Sequence, residues 1–381
     1  MIPTFARRLF HRPRVRRALY VLAVLFFVGT VCGCRTLKFY GQAIKGQYQI
    51  FAGQQPVEEV IANPQTPAVL KSQLELLQEL RQFARDVLKL PVDGHYQSYV
   101  DVGRPYVVWN VQAAPEFSLE PKTWWYPLVG RLEYRGYFAK DGAEETAARL
   151  RRKGFDTFVG GVQAYSTLGW FKDPVLNTFI FREESELAEV IFHELGHQRL
   201  FARGDTDFNE AFATVVGEEG ARRWLHSKSD TNGLMRYEAS LKRNGQFVRL
   251  ILKTRVRLER LYGDVRDEDG KLKAARELPA APDQLRQEKQ QVFAGLRSEY
   301  QRLKEEWDGF AGYDAWFARE LNNAQLNTIA NYYDYVPGFE ALLRLKDGDV
   351  DAFYIAAEEL SAKPREERHE WLRNLAQVKL Q

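Results

Sequence analysis

The first long apolar run of the chain lies near its N-terminus, where residues 18–31 carry no charged side chain. The run is about 14 residues long, whereas a membrane-spanning helix needs about 20 apolar residues. An arginine-rich stretch precedes it and small residues follow it, which is the layout of a secretory signal peptide. The pattern therefore predicts an exported protein.

Two helices are predicted next. Residues 37–53 have the pattern of a short amphipathic helix near the membrane. Thr66-Pro67 opens a second helix, because Thr is a good N-cap residue and Pro is favoured at the first helical position. Pro91 ends that helix.

Strand-like and helical segments alternate in the following part of the chain. Strands, rich in β-branched and aromatic residues, are expected at 106–111, 131–138, 156–167 and 177–181. Helices are expected at 142–153, at 184–203 and from about Asn209 onward. Gly154 and Gly204 are placed to end the first two of these helices.

The composition changes beyond about residue 226. Residues 237–261 and 283–307 are long, charged and helical in period, and a polar segment separates them. This pattern predicts an antiparallel helical hairpin with a mobile tip. Its charges are either solvated faces or a surface that binds a partner. Residues 321–343 and 352–378 supply closing helices.

The charge balance argues against nucleic acid as a partner. The chain has 381 residues, enough for two or three domains, and a formal net charge of +3. The first 33 residues contain six arginines and no acidic residue, so the net charge of the remainder is −3. A body that is slightly acidic lacks the electrostatic footprint of a nucleic-acid-binding protein.

The end of the apolar run resembles a bacterial lipobox. In Val31-Cys32-Gly33-Cys34, a small residue precedes Cys34, which would be lipidated and become the new N-terminus. An uncleaved membrane anchor and an incidental leader are the alternatives. Residues 7–10 also resemble a twin-arginine signal. If Cys32 leaves with the leader and Cys34 carries lipid, the body has no free thiol, which excludes disulfides and cysteine-ligated metal sites.

His193-Glu194-Leu195-Gly196-His197 is the motif that carries chemistry. Two histidines four residues apart project from one face of a helix, so both imidazoles can reach one metal ion. Glu194 can hold a water and take its proton, and zinc makes such a water acidic enough to ionise near pH 7. Gly196 lets a backbone or a substrate come close.

A catalytic zinc usually has three protein ligands and one open position, so a third ligand is required. Five carboxylates follow the motif: Asp205, Asp207, Glu210, Glu218 and Glu219. Glu210 is preferred, because a residue in the first turn of the next helix can fold back to the metal. Asp205 and Asp207 are better placed to cap that helix. Thr214 either braces the ligands or packs in the core.

These residues resemble the gluzincin metallopeptidases, which include thermolysin and the zinc aminopeptidases. The second motif of those enzymes reads much like Asn209-Glu210-Ala211-Phe212-Ala213. Residues 33–343 also resemble a family of predicted bacterial zinc aminopeptidase lipoproteins. The matching pieces are Gly33-Cys34, residues 41–43, 46–47, 134–138 and 164–171, the zinc motif, Tyr332 and Val336-Pro337.

The resemblance implies an α+β fold with a zincin-like core, made of a small mixed sheet and the active-site helix. It implies one Zn2+ held by His193, His197 and Glu210, with Glu194 as general base. Tyr165 or Tyr332 would stabilise the oxyanion. The Gly-x-Met-Glu-Asn segment with which zinc aminopeptidases hold the free amine is missing, since the only methionines are Met1 and Met235.

The sequence therefore predicts a zinc peptidase, with a peptide as substrate, anchored through lipid to a bacterial membrane and facing the periplasm. Arg35 after Cys34 favours the outer membrane. The alternative is a membrane-tethered interaction protein whose metal ion only stabilises the fold. The predicted segments are a signal peptide (1–33), a helical segment (34–95), the catalytic core (96–225), the hairpin (226–320) and closing helices (321–381).

Overall fold

Helices dominate the structure, and short strands lie between them. The computed structural model describes residues 36–126, 130–164, 172–267, 272–330 and 335–377. The helices are α1 (36–52), α2 (Val57–Ala62), α3 (Ala68–Asp86), α4 (Lys140–Arg151), α5 (Glu184–Arg199), α6 (Thr206–Ser227), α7 (Thr231–Tyr262), α8 (Pro282–Glu306), α9 (Asp314–Phe317), α10 (Asn323–Ala330), α11 (Val336–Leu345), α12 (Val350–Ser361) and α13 (Arg365–Gln377).

The strands form small sheets. They are β1 (Gln55–Pro56), β2 (Ser98–Val100), β3 (Val108–Pro115), β4 (Trp124–Tyr126), β5 (Gly130–Leu132), β6 (Tyr134–Tyr137), β7 (Phe155–Val162), β8 (Val175–Leu176), β9 (Val265–Arg266) and β10 (Leu272–Lys273). One sheet has the antiparallel order β6-β3-β7. Another has the order β1-β2-β8 and is mixed, because β2 pairs antiparallel with β1 and parallel with β8. The fold is therefore α+β.

The predicted strand at 177–181 is wrong. The strand β8 ends at Leu176, and the chain then turns. The turn forms because Asn177 Oδ1 accepts a hydrogen bond from the Val102 N–H at 2.9 Å, and the Ile180 N–H donates to the Leu176 carbonyl at 3.1 Å. These bonds use the polar groups that a longer strand would need for pairing.

The helix boundaries around the predicted metal motif also differ from the prediction. Helix α5 ends at Arg199, because Leu200 is extended with φ −146°, and Gly204 lies in the following turn with φ +78°. Helix α6 begins at Thr206, earlier than predicted, because Asp205 caps it by accepting a hydrogen bond from the Phe208 N–H. Glu210 consequently lies in the second turn of α6 rather than the first.

The core that surrounds α5 and α6 is the largest hydrophobic cluster of the described residues. Helices α3, α11, α12 and α13 contribute to it, as do β2 and β8. Aromatic rings fill the space between α6 and the C-terminal helices, and the Phe212 and Phe353 rings stack with centroids 5.6 Å apart. The C-terminal helices thus cover the helix that carries Glu210.

The predicted helical hairpin is present as α7 and α8, with β9 and β10 at its tip. In its described part the tip is packed rather than free-standing. Leu272 is buried, and Asp264 Oδ2 accepts a hydrogen bond from the Leu119 N–H at 2.7 Å. Lys289 of α8 donates to Asp156 Oδ2 at 2.7 Å, which ties the hairpin to the antiparallel sheet.

Asn323, at the start of α10, joins the hairpin to the end of strand β3. Its side chain is fully buried. The amide nitrogen donates to the carbonyls of Pro115, Glu116 and Ser118, each at 3.0 Å, and the amide oxygen accepts from the Tyr262 hydroxyl at 3.1 Å. One amide thus satisfies polar groups from two other segments of the chain.

None of the helices in the described ranges is long and apolar enough to cross a membrane. Residues 18–31, together with Cys32 and Cys34, lie outside the described residues. The predicted signal peptide and lipidation site therefore stay predictions, as do the predicted segment boundaries.

Replacing Asn323 by Ala should destabilise the fold. The change leaves the Tyr262 hydroxyl and the Ser118 carbonyl short of a partner, and each such buried group costs about 1–3 kcal/mol, whereas the Pro115 and Glu116 carbonyls keep other hydrogen bonds. We expect the free energy of unfolding in urea to fall by about 2–4 kcal/mol. Asn232→Ala, at an exposed position of α7, should change it by less than about 0.5 kcal/mol. Equal effects of the two substitutions would contradict this role of Asn323.

Candidate metal centre

His193 and His197 lie on one face of α5, as their spacing requires. Their ring centroids are 4.8 Å apart, and the rings are nearly perpendicular, at 88°. The helix places them at the edge of the core, because residues such as Leu187, Ile191 and Leu195 bury its opposite side. His197 is buried, whereas His193 keeps 22% of its side chain exposed.

The turn between α5 and α6 is fixed by Asn209. Its side chain accepts a hydrogen bond from the Ala202 N–H at 2.7 Å and donates to the Ala202 carbonyl at 2.9 Å. The buried side chain therefore replaces backbone pairing that the turn lacks. The residue before Glu210 thus sets the direction in which α6 leaves the turn.

Small residues allow α6 to pack closely on α5. A Cβ atom at Gly217 would lie 2.8 Å from the Glu189 carbonyl oxygen and 3.1 Å from His193 Cβ. A Cβ atom at Gly196 would lie 3.3 Å from Ala213 Cα. The prediction that Gly196 lets a neighbouring backbone come close is confirmed, and that backbone is the one of α6. Larger side chains at these positions would push the two helices apart and separate the residues they carry.

Glu210 meets both histidines where the two helices approach. Its Oε2 atom is 3.4 Å from His193 Nε2 and 3.7 Å from His197 Nε2. Three ligand atoms about 2.0–2.2 Å from a tetrahedral ion are separated from one another by roughly 3.4 Å. One ligand atom from each of the three residues lies within 4.8 Å of the others, so the set fits a metal ion.

The ligand atoms are strongly coupled electrostatically. Burial raises the pKa of Glu210, but hydrogen bonds from His193 and His197 outweigh burial and leave this pKa at about 2. Burial lowers the pKa of His193, but the hydrogen bond to Glu210 and the charges of Glu210, Glu194 and Glu189 outweigh it and leave this pKa raised. Glu210 is therefore a carboxylate at neutral pH, which is the form that binds metal.

Glu194 is partly buried beside the three candidate ligands. Burial raises the pKa of its carboxyl group, and the charges of Glu210 and Asp173 add to the effect, although the two histidines oppose it. A raised pKa suits a group that must accept a proton and then release it.

Tyr96 and Asp173 also surround Glu194, and no pattern in the sequence singles them out. Tyr96 is buried with φ +56°, and its N–H donates to the Asp173 carbonyl at 2.8 Å. Burial raises the pKa of the Tyr96 hydroxyl, and the charges of Glu194 and Asp173 raise it further. The two residues lie far from the motif in sequence, so only the fold brings them to it.

Glu189 precedes His193 by one helical turn and faces a buried polar group. The Tyr237 hydroxyl donates to Glu189 Oε2 at 2.8 Å. Burial raises the pKa of Glu189, and the Tyr237 hydrogen bond opposes it. Because Glu189 is four residues before His193, helical spacing could have predicted that it lies near the site. Tyr237 belongs to the hairpin, so its contact with Glu189 could not be predicted from the sequence.

The other four carboxylates that the sequence offers as ligands contact groups away from the two histidines. Asp205 is held by His369 Nε2 at 2.8 Å and by Arg368 Nε at 2.7 Å, at the start of α6. Asp207 lies 3.4 Å from Arg365, and Glu219 binds Arg223 at 2.8 Å. Glu218 is buried near Glu189.

The remaining predicted site residues are Thr214, Tyr165 and Tyr332. Thr214 is buried on α6, one turn after Glu210, so its position agrees with either bracing or packing. Tyr165 and Tyr332 lie outside the described residues.

Comparison with known proteins gives one match. A family model described as "Putative aminopeptidase" covers residues 38–372, which include the whole candidate centre. No curated protein matches the chain significantly, and no solved structure does.

Replacing Glu210 by Ala should weaken zinc binding by more than about 100-fold. Loss of a residue that only supports a ligand typically weakens it by about 10–100-fold, so removal of a direct ligand should cost more. The matched control is Glu219→Ala, on the same helix, which should bind zinc as the wild type does. Competition with a chelator measures both affinities. Unchanged zinc binding by Glu210→Ala would exclude Glu210 as a ligand.

Loss of the proton from the buried Glu218 carboxyl group should make the folded protein less stable at high pH. Burial and the charge of Glu189 raise this pKa to about 8, while Arg222 opposes them and Glu340 and Glu238 add to them. The folded protein thus holds a proton that the unfolded chain releases near pH 4.5. The stabilisation that this proton gives to the folded state is complete below about pH 4.5 and is lost as the pH rises through about 8.

Glu218→Gln removes this dependence. Between pH 5 and pH 9, the wild type should lose on the order of 2–5 kcal/mol more unfolding free energy than Glu218→Gln. Urea unfolding at both pH values measures the difference. Glu219→Gln keeps Glu218 and should follow the wild type. Parallel pH profiles of the wild type and Glu218→Gln would refute the assignment.

Proposed function

The chain belongs to the family described as "Putative aminopeptidase", and from this premise we propose that it is a zinc-dependent peptidase of the gluzincin type. The proposal includes a zincin-like core around α5 and α6. It also includes lipidation at Cys34 and attachment to a bacterial membrane with the body in the periplasm.

One observation carries the catalytic part of the proposal. Two imidazole nitrogens and a carboxylate oxygen converge within 4.8 Å, beside a partly buried fourth residue, Glu194. No fourth histidine, cysteine or carboxylate joins this group in the described ranges. Two histidines and one carboxylate are a donor set that catalytic zinc sites use, and such sites keep one position for water or substrate.

The chain's own residues then have separate tasks. His193, His197 and Glu210 would hold the ion, and substrate would approach from the side on which His193 and Glu210 are partly exposed. A zinc ion in this position would act as a Lewis acid and would make water acidic enough to ionise near pH 7. Glu194 accepts the proton of the attacking water and passes it to the leaving amine.

An edge strand supports a peptide as the substrate. Strand β7 lies at one end of the order β6-β3-β7. Asn322 and Arg319 bond to its Thr157 and Val159 carbonyls, so an extended peptide would pair with the region that begins at Val162. Val162, its last residue, and Ala164 pack against the same core cluster as α5. Tyr165 or Tyr332 would stabilise the oxyanion, and Thr214 would brace the ligands.

The alternative is a non-catalytic interaction protein with a structural metal. A structural zinc site is closed by four protein ligands, whereas the described residues supply three. The helical hairpin, which would be the binding arm of such a protein, is tied to the sheet by Lys289 and Asn323.

Replacing Glu194 by Gln should remove peptide hydrolysis without loss of zinc. The amide cannot accept the proton, so turnover should fall by about 10²–10⁴-fold while zinc content and unfolding free energy stay near wild type. The measurement is digestion of a peptide library, followed by mass spectrometry of the products. The positions of the cuts also show whether amino-terminal residues are released.

The matched control is Glu186→Gln, on the same helix, which should cleave as the wild type does. If Glu194→Gln kept most of the turnover on a peptide that the wild type cleaves, Glu194 would not be the general base.

A further inference from the structure

Helix α1 has two opposite apolar faces. Its inner face packs on the rest of the protein through Phe39 and Ile50, which are buried. Gly46 lies against the Phe138 ring, where a Cβ atom would come within 2.0 Å of the ring carbon Cγ. Gln42 Oε1 accepts a hydrogen bond from the Phe138 N–H at 2.9 Å. The inner face is therefore fixed to strand β6 and its continuation.

The outer face of α1 is a stripe of exposed apolar and aromatic side chains. They are spaced at three and four residues, so at about 100° per residue they cover roughly 80° of the helix surface, opposite the inner face. The outer stripe consists of Leu37, Tyr40, Ile44, Tyr48 and Phe51. Ile44 and Tyr48 are the most exposed, at 70% and 69%. Such a stripe normally marks a surface that binds something apolar.

The polar residues that flank the outer stripe are basic or neutral. Lys38 and Lys45 are exposed, and residues 36–52 contain no acidic side chain, although the body of the protein is net acidic. Lys38 lies 3.2 Å from Glu145, whereas Lys45 is on the side of the helix between the two faces. Apolar side chains flanked by lysines suit a membrane surface that carries anionic lipid head groups.

We propose that the outer stripe of α1 lies in the head-group region of the membrane that holds the N-terminus. The proposal rests on the membrane attachment included in the proposed function. Leu37 is three residues from Cys34, a span of at most about 11 Å. Either a lipidated Cys34 or an uncleaved run at 18–31 would put the start of the stripe at the bilayer surface.

Contact along α1 gives the protein a fixed orientation on the membrane, which a lipid chain alone does not. The helix is about 25 Å long. Phe39 and Gln42, in its first half, attach it to the sheet β6-β3-β7, and Ile50, near its end, packs in the core around α5. The edge strand β7 is therefore held at a constant distance from the bilayer. Peptides at or near the membrane surface are the class of substrate that such an enzyme would meet.

The test uses the full chain in vesicles of phosphatidylcholine and phosphatidylglycerol that contain lipids with a nitroxide on the acyl chain. Single cysteines replace Ile44 or Tyr48 on the outer stripe, or Lys45 or Gln49 beside it, in a Cys32→Ser background. Each is labelled with the same fluorophore. Labels at positions 44 and 48 should be quenched several-fold more than labels at 45 and 49. Equal quenching at all four positions would overturn the proposal.

Two controls distinguish membrane contact from self-association and from a change in the N-terminal attachment. Self-quenching between labels at position 44 in lipid-free detergent would show that a second copy of the chain covers the stripe, which would also overturn the proposal. The mass of the mature N-terminus tests attachment separately, since an intact Met1 would exclude lipidation at Cys34. The double variant Ile44→Ser/Tyr48→Ser should bind zinc and cleave peptides in detergent as the wild type does. Peptide cleavage in detergent therefore tests the peptidase assignment separately from the membrane contact.

Discussion

The close packing of α6 on α5 is the constraint on which the candidate centre depends. Gly196 faces the Ala213 backbone, and Gly217 faces the backbone of Glu189 and His193, so the backbones of the two helices approach closely at both glycines. Only at this separation can a carboxylate on α6 reach two imidazoles on α5. The surrounding core, the Asn209 turn and the C-terminal helices serve to keep the helices in this contact.

Much of the centre could be predicted from the sequence, because helical spacing alone places His193 and His197 on one face. Glu210 followed from the reach of the connection, even though α6 begins earlier than expected. The hairpin was also predictable, since long segments of helical period leave little ambiguity. The helix predicted from Thr66-Pro67 to Pro91 is also present, at Ala68–Asp86, but its N-cap is Pro67 rather than Thr66 and it ends before Pro91.

The remainder depends on contacts between distant segments. Tyr96, Asp173 and Tyr237 reach the environment of α5 from three separate places, and no local pattern marks them. The predicted strand at 177–181 failed because the Asn177 side chain closes a turn with Val102, a residue far away in sequence. The start of α6 depended on Asp205, whose capping role was foreseen but whose effect on the boundary was not.

The zinc-edge anomalous difference density of crystals grown with zinc tests the proposed centre most directly. We expect one peak about 2.0–2.2 Å from His193 Nε2, His197 Nε2 and a carboxylate oxygen of Glu210, with no side chain in the fourth position. A peak at that place with a fourth protein ligand would indicate a structural metal. No peak between α5 and α6 would contradict the zinc peptidase assignment altogether.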